Sequence, residues 1–585
     1  MAGPVNPVKL EVLRHALQAV AEEMGAVLTR TALSPNIKDR RDCSTAVYTP
    51  DGRLVAQAEH IPLHLGLMPA VVKAVLADFP APGLSPGDVV MINDPYVSGS
   101  HLPDICLLSP VFYRQRPLAL VANLAHHVDV GGSVPGSMST TATEIFQEGL
   151  RIPPLLLRRA GQLNEELLRL LTHNVRTAGE FAADIRAQLN ANELGAGRLQ
   201  ELAGRYGADV LQRYMEAMMD YAERRLLAAL EGMPAGVYDF EDYLEGDGLS
   251  RREINIRVRL QRHSGGLTVD FTGTHPQVAG PVNATRGVTL ACVYYVVKAV
   301  LDPGLPSNDG LVRSLQVITP PGSLVNPAFP APVAHANINT AQRIADVLLG
   351  ALSGALPLRV TAAGTGSMSN FTVGGLDAAG RYYSYVETCG GGQGAKYGQD
   401  GMDGVHVHMT NTRNTPVEVI ELSYPLRVER YALASGSGGP GKYRGGLGLV
   451  REITVLGEEA TVAVSSERAV HPPWGLAGGR PGERARVALL PPAESDPAPV
   501  VAAPGNGDPG KFTARVPAGS RVILQTAGGG GYGDPLERDP ALVQLDVAEG
   551  LLSRDAARED YGVVLTAELT VDEAATECLR RKIRD

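Results

Sequence analysis

The polarity pattern divides the chain into stretches of different texture. Leu10, Leu13, Leu17, Val20, Met24 and Leu28 recur at spacings of three and four, which gives one apolar stripe along a helix. Asn6 is placed to cap that helix, and Pro7 suits its first turn. From 40 to 136 the apolar runs shorten and are broken by Gly, Pro and Asp, as in DVVMINDPYVSGSHLPDI and PLALVANLAHHVDVGG. Each run predicts a buried strand that ends in a polar loop. Helical periodicity returns over 164–233, where Thr177 with Glu180 fits a capping box and Gly195, Gly197 and Gly207 separate two or three long helices. Ile254, Ile256, Val258 and Leu260 then alternate with polar residues, and Leu267, Val269 and Phe271 follow the turn HSGG, which predicts a hairpin with one buried face. Helices are expected near 287–302 and 340–356, a second β-rich stretch over 430–530 with a surface loop at 491–510, and a polar helical tail from 535.

The expected fold class is mixed α/β (α+β) in several domains. An α/β region spans 1–160, a helical region 161–235, a mixed α/β region with a Gly-rich pocket 236–430, a β-rich region 431–535 and a helical tail 536–585. The length of 585 residues suggests two to four domains and ample core. With 44% hydrophobic and 20% charged residues, global disorder is excluded. A net charge of -10 argues against nucleic acid as the main partner, because phosphate binding needs a basic face. The longest apolar run, Leu290–Leu301, contains Lys298 and is too short for a membrane span. Lys9, Glu11 and Arg14 interrupt the place of a signal peptide, so a cytoplasmic protein is expected. The five cysteines form no CxxC pair, which argues against a thiolate zinc site or a disulfide scaffold.

Candidate chemistry concentrates in the two polar loops of the first region. Asp94, His101, Asp104, His126, His127 and Asp129 lie in NDPYVSGSHLPDI and NLAHHVDVGG. Both loops follow an apolar strand, so both can emerge at one sheet edge. Imidazole and carboxylate without thiolate suit Zn, Mn or Fe(II), and three protein ligands leave a position where a metal ion can acidify water. The alternative is a set of solvated loop residues with one histidine satisfied in a core. Asp42 is a further candidate ligand, or else an ion-pair partner of Arg40 or Arg41; Asp129 is an orienting carboxylate or a turn residue. Glu387, His406, His408 and Asn411, beside the glycines of VETCGGGQG, are candidates to line a substrate pocket, or they form a tight loop beside a strand. Asn337, Asn339 and Gln342 open a helix, to bind or only to cap it. The phosphate-loop spacing of GSGGPGK fails, because Tyr443 follows and no helix pattern comes after it. There is no GxSxG elbow, and Cys389 reads as a buried thiol.

These segments, with AHHVDVGGSVPGSM, Glu148-Gly149, NVRTAGEFAADIRAQLNAN, GPVNATRG, HMTNTRNTPVE, SGGPGKYRGGLG, PWGLAGG and GGGGYGDPLERDP, resemble the hydantoinase B/oxoprolinase family over nearly the whole chain. The resemblance implies a separate hydantoinase A-type subunit that binds ATP and phosphorylates the amide oxygen of a cyclic amide. The B-type chain would then open the activated ring, with hydantoin, N-methylhydantoin, 5-oxoproline or a related lactam as substrate. It implies a hetero-oligomer such as α2β2, and a divalent transition metal (Zn, Mn or Fe) on His101, Asp104 and His126, with Asp42 as the fourth ligand. Asp129 or Glu148 would move the proton, and His127, Glu387, Gly391, Gly392 and His408 would contact substrate. The alternatives are a ketone carboxylase subunit, a non-haem iron oxygenase and a non-catalytic partner subunit.

Overall fold

In the computed structural model, which describes residues 5–58, 60–80, 83–99, 101–492 and 508–585, the first helix is Pro7–Thr31. The Asn6 side chain accepts the Lys9 amide at 3.0 Å, and Leu10, Leu13, Leu17, Val20, Met24 and Leu28 are all buried. Strands β1 (Cys43–Tyr48), β2 (Leu54–Gln57), β3 (Val89–Ile92), β4 (Asp104–Tyr113), β5 (Arg116–His126), β6 (Leu155–Arg159) and β7 (Gln162–Leu163) form one antiparallel sheet in the order β2-β1-β5-β4-β3-β6-β7. The helices Pro7–Thr31, Ala178–Tyr206 and Ala208–Glu231 pack against one face. The helix His64–Asp78 covers the other and rests in turn on the helix Arg286–Leu301. With both faces covered, the central strands read as unbroken apolar runs.

The helical stretch departs from expectation at its glycines. Ala178–Tyr206 is one helix of 29 residues that passes through Gly195 and Gly197, and only Gly207 ends it. Gly195 marks a close helix crossing: a Cβ there would lie 2.3 Å from the Met24 sulfur. Thr177 does stand at the N-cap, but its side chain caps no backbone N–H.

Further along, β8 (Gly236–Leu244), β9 (Ile254–His263), β10 (Gly266–Asp270) and β11 (Leu315–Ile318) form a second sheet in the order β11-β10-β9-β8. The β9–β10 hairpin buries Ile254, Ile256, Val258, Leu260, Leu267, Val269 and Phe271 against the helices Arg286–Leu301 and Ala341–Ser353. The remaining strands are β12 (Asn370–Leu376), β13 (Tyr382–Thr388), β14 (Leu426–Leu433), β15 (Leu449–Val455), β16 (Glu459–Ser465), β17 (Arg486–Leu490), β18 (Lys511–Pro517) and β19 (Arg521–Gln525). They make two antiparallel sheets, β13-β12-β16-β18 and β14-β15-β19-β17, that share one apolar core. Most of the expected 491–510 loop lies outside the described residues. The tail carries the helices Pro540–Ala548, Arg554–Tyr561 and Glu573–Arg584. Among the described residues, no helix is long and apolar enough to cross a membrane.

The first-helix stripe supplies a direct check. Leu17 is fully buried, whereas Val8 on the same helix is 73% exposed. Leu17→Ala should cost about 2–5 kcal/mol through lost burial and the cavity left behind. Val8→Ala should stay within about 0.5 kcal/mol. Denaturant titration followed by circular dichroism measures both.

Candidate metal centre

The register of the first sheet assembles the site. β4 begins at Asp104 and β5 ends at His126, and the two residues pair directly across the ladder. Directly opposed residues on an antiparallel pair project to the same side. Asp104 Oδ1 lies 3.1 Å from His126 Nδ1. The loop before β4 brings in His101, whose Nε2 is 3.4 Å from Asp104 Oδ2 and 3.1 Å from His126 Nδ1. Two ligands about 2.1 Å from one ion, at about 90–110° to each other, stand about 3.0–3.4 Å apart. The three side chains match that spacing.

The supporting contacts fix the orientation of the donor atoms. His101 Nδ1 is 3.0 Å from the Ala334 carbonyl, so Nδ1 carries the proton and the Nε2 lone pair faces the other two ligands. Asn337 donates to Asp104 Oδ2 at 3.5 Å. Burial by itself would raise the Asp104 carboxyl, but His101, His126 and His64 hold it well below its ordinary value. Burial would likewise lower His101, but Asp104 outweighs it and holds the imidazole above its ordinary value. The donor set is therefore two imidazoles and a carboxylate held ionised, which suits a divalent transition metal.

A small cavity of about 30 Å³ opens over this cluster, with Asp42, His64, Asn337, Ile338, Met368 and Arg40 among its walls. Asp42 lines it and its carbonyl accepts the His126 amide at 3.0 Å, but its carboxylate stands outside the close cluster of His101, Asp104 and His126. Neither Arg40 nor Arg41 pairs with it among the described residues; Arg40 turns instead to Val386, Thr388 and Thr412.

The proton-moving roles expected of Asp129 and Glu148 do not fit their positions. The Asp129 carboxylate is fully engaged by the amides of Gly131, Gly136 and Arg176, each at 3.0 Å, and by the Arg176 guanidinium at 3.0 Å. It shapes the loop after β5 and does not line the cavity. Glu148 Oε1 accepts the Val333 and Ala334 amides at 2.8 and 2.9 Å, and so braces the segment whose carbonyl orients His101. Burial pushes the Glu148 carboxyl up to about 8.

The expected substrate contacts are also placed elsewhere. His127, one residue past His126, points to the helix side of the sheet, where Nε2 meets Gln188 Oε1 at 3.0 Å and the ring packs on Phe181. Glu387 forms a buried ion pair with Arg451 at 3.2 Å. Gly391 packs on the Thr365 side chain and Gly392 on backbone: a Cβ on Gly391 would meet Thr365 Oγ1 at 2.3 Å, and one on Gly392 the Gly446 carbonyl at 2.1 Å. His406 and His408 lie in irregular backbone, not a strand, with His408 at φ 53 and bonded to Asp346 at 3.2 Å. They border a different cavity, beside Tyr295 and Gln393.

A family model described as hydantoinase B/oxoprolinase matches residues 6–535. The chain belongs to the hydantoinase B/oxoprolinase family. It is 41% identical over 581 residues to an uncharacterized protein of Methanocaldococcus jannaschii, covering 98% of this chain and 100% of that one. It is 33% identical to the B-type subunit of a putative D-/L-hydantoinase from a Pseudomonas species, covering 99% and 98%. The crystal structure of the ATP-dependent caprolactamase from Pseudomonas jessenii superposes with a TM-score of 0.89 at 32% identity, over 99% of this chain and 100% of that one.

One residue at the centre of this hydantoinase B/oxoprolinase chain carries no local sequence signal. His64 sits in the apolar run IPLHLGLM, where a lone histidine reads as core. In the fold its Nδ1 meets Ser44 Oγ at 2.9 Å, and its Nε2 is 3.9 Å from Asp104 Oδ2. Burial lowers its pKa, with Asp104 and Asp42 opposing. Asn337 had a signal, the polar run HANINTAQR, and it sits in a π-helical turn, Ala336–Thr340, that opens onto the cavity.

Glu148 gives a pH test. Its ordinary carboxyl value is 4.5 and its folded value about 8, so between these the folded state holds a proton that the unfolded chain has released. Stability therefore falls as pH rises through that window and levels off above it. Glu148→Gln keeps the acceptor oxygen and removes the titration. The metal-free variant should gain stability over wild type as pH rises from about 5 to about 8, read by thermal melts across pH. Glu148→Ala should destabilise at every pH, because it strands two buried N–H groups.

Proposed function

We propose that this chain is the metal-dependent subunit of an ATP-dependent ring-opening amidohydrolase. Its substrate would be a hydantoin, N-methylhydantoin, 5-oxoproline or a related lactam, phosphorylated by a hydantoinase A-type partner in a hetero-oligomer. The observation that carries the reading is the convergence of His101, Asp104 and His126 at the floor of a buried cavity, at ligand spacing and with one imidazole tautomer fixed. The hydantoinase and caprolactamase relatives, similar over nearly the full length, point to cyclic amides.

His101, Asp104 and His126 would hold the ion, and Asp42 on the cavity wall is the candidate for a fourth ligand. A bound divalent ion supplies Lewis-acid polarisation and acidifies water. The chain's own groups do the rest. Glu148 and Ala334 keep the His101 ring in place. Ile61, Leu63, Met138, Ile338 and Met368 exclude bulk water and strengthen each electrostatic contact inside. His64, tethered by Ser44, presents Nε2 to the cavity, where it can take the proton from an attacking water and return it to the departing ring nitrogen. An unactivated amide is a poor electrophile, which is why phosphorylation by the partner must come first.

Metal analysis by mass spectrometry tests the centre. Wild type should carry about one transition metal per chain, and His101→Ala/Asp104→Ala should carry none. His127→Ala should retain it, because that ring faces the opposite side of the sheet. Loss of metal should lower ring-opening by the complex with its partner and ATP by at least about a hundredfold. A folded wild type that takes up no metal would sink the proposal, and bicarbonate-dependent turnover of a ketone would replace it.

The raised His101 value sets a second expectation. A proton on His101 competes with the ion, so metal affinity should climb as pH rises through and beyond the ordinary histidine range, and fall on acidification. Chelator competition at a series of pH values measures this. Affinity independent of pH would exclude His101 as a ligand.

A further inference from the structure

Arg40 breaks a rule that the other buried arginines among the described residues obey. Six arginines are buried among the described residues: Arg40, Arg343, Arg444, Arg451, Arg468 and Arg538. Five of them face carboxylates. Arg343 meets Asp242 and Glu467, Arg444 meets Asp403 and Asp546, Arg451 meets Glu387, Arg468 meets Asp242 and Asp346, and Arg538 meets Asp400 and Asp546. Arg40 is 1% exposed, yet all its partners are neutral. Nη1 donates to the Val386 carbonyl at 2.5 Å, and Nη2 donates to Thr388 Oγ1 at 2.5 Å and Thr412 Oγ1 at 3.3 Å. A buried charge without a counter-charge is costly, which makes Arg40 a candidate to meet an anion brought from outside the chain.

Arg40 stands in the wall of the cavity that holds the His101–Asp104–His126 cluster, and Thr388, Thr410, Thr412 and Asn370 line the wall with it. Hydroxyl and amide groups beside a guanidinium can donate to the oxygens of an anion. The charge balance points the same way. Arg40 and a divalent ion together outweigh the carboxylates Asp42 and Asp104 by one positive charge, which an entering anion cancels.

We infer that Arg40, with the threonines beside it, forms an anion subsite that takes a phosphoryl group. Building on the function proposed above, that group is the phosphate placed on the substrate amide by the partner subunit; the first water breaks the ring C–N bond and leaves an acyl phosphate, a second water cleaves that to the carboxylate, and the free phosphate released occupies the same place. The subsite orients the activated substrate from its phosphoryl end while the metal cluster faces the reacting carbon. Arg40 is thus a specificity residue for the phosphorylated form over the bare amide.

The test is calorimetric titration of the purified full-length chain with inorganic phosphate at constant ionic strength. The titration is run on the metal-loaded chain, because the positive excess that favours an anion needs the ion, and variants at Arg40 that keep their metal separate the subsite from a contact with the ion. Wild type should bind about one phosphate per chain, and Arg40→Met should weaken this by about tenfold or more while keeping its metal stoichiometry. Should Arg40→Met fail to fold, Arg40→Lys and Thr388→Val replace it, each expected to weaken phosphate binding by several-fold. Glutamate, which carries carboxylates but no phosphate, should compete at least about tenfold less well. Phosphate binding absent from wild type, or unchanged in the variants, would overturn the assignment. Equal competition by glutamate would overturn it as well, in favour of a site for the product carboxylate. The two readings fail separately. Arg40-dependent phosphate binding in a complex that opens no cyclic amide would sink the proposed hydrolase and leave the subsite standing. Ring-opening without such binding would do the reverse.

Discussion

The pairing of Asp104 with His126 across β4 and β5 is the constraint on which the candidate site rests. A side chain's face on a strand alternates with each residue, so a slip of one position would send one of the two to the helix side. The neighbour His127 shows what that means: it lies against Phe181 and Gln188, cut off from the cavity. The register is held by burial on both faces of the sheet. Val121 and Ala125 pack toward the long helices, and Leu120, Ala122 and Leu124 toward the helix His64–Asp78.

A second layer of the protein completes what the first sheet begins. The carbonyl that orients His101 belongs to Ala334, and the amide beside Asp104 belongs to Asn337; both precede the helix Ala341–Ser353. That helix is locked to the rest by buried ion pairs: Arg343 with Asp242 at 3.1 Å, and Arg468 with Asp346 at 2.6 Å. The second pair ties the segment after β16 to this helix and so helps set how the C-terminal sheets sit over the cavity, whose far wall carries Val386 and Thr388. Such networks are strongly destabilising to break, because removing one partner strands the other. Arg40, alone among the described buried arginines in meeting no carboxylate, stands where these layers meet.

Much of the architecture was legible from periodicity. The stripe from Leu10 to Leu28, the Ile254–Leu260 alternation and its hairpin, and the buried helix at Leu290–Leu301 all formed, because each pattern states which face must leave water. Glycines were harder to read, since the same residue serves a turn at Gly207 and a close packing at Gly195. The candidate site was half legible. His101, Asp104 and His126 stood out as imidazole and carboxylate in loops that end neighbouring strands. Glu387 and His408 looked equally chemical but went into contacts, an ion pair with Arg451 and a hydrogen bond with Asp346, that no local pattern announces.

The family, the element types and the three side chains fit to hold a metal could all be read along the chain. Those features depend on residues close together in sequence, where spacing fixes geometry. Folding in three dimensions was needed to make Glu148 a brace for the backbone, to turn His64 toward Asp104, and to bring Arg40 into the same cavity without a counter-charge. The partners there are remote: Ala334 lies 233 residues from His101, and Thr388 lies 348 from Arg40. Periodicity records which face of an element is buried, but it carries no information about which distant face that element will meet.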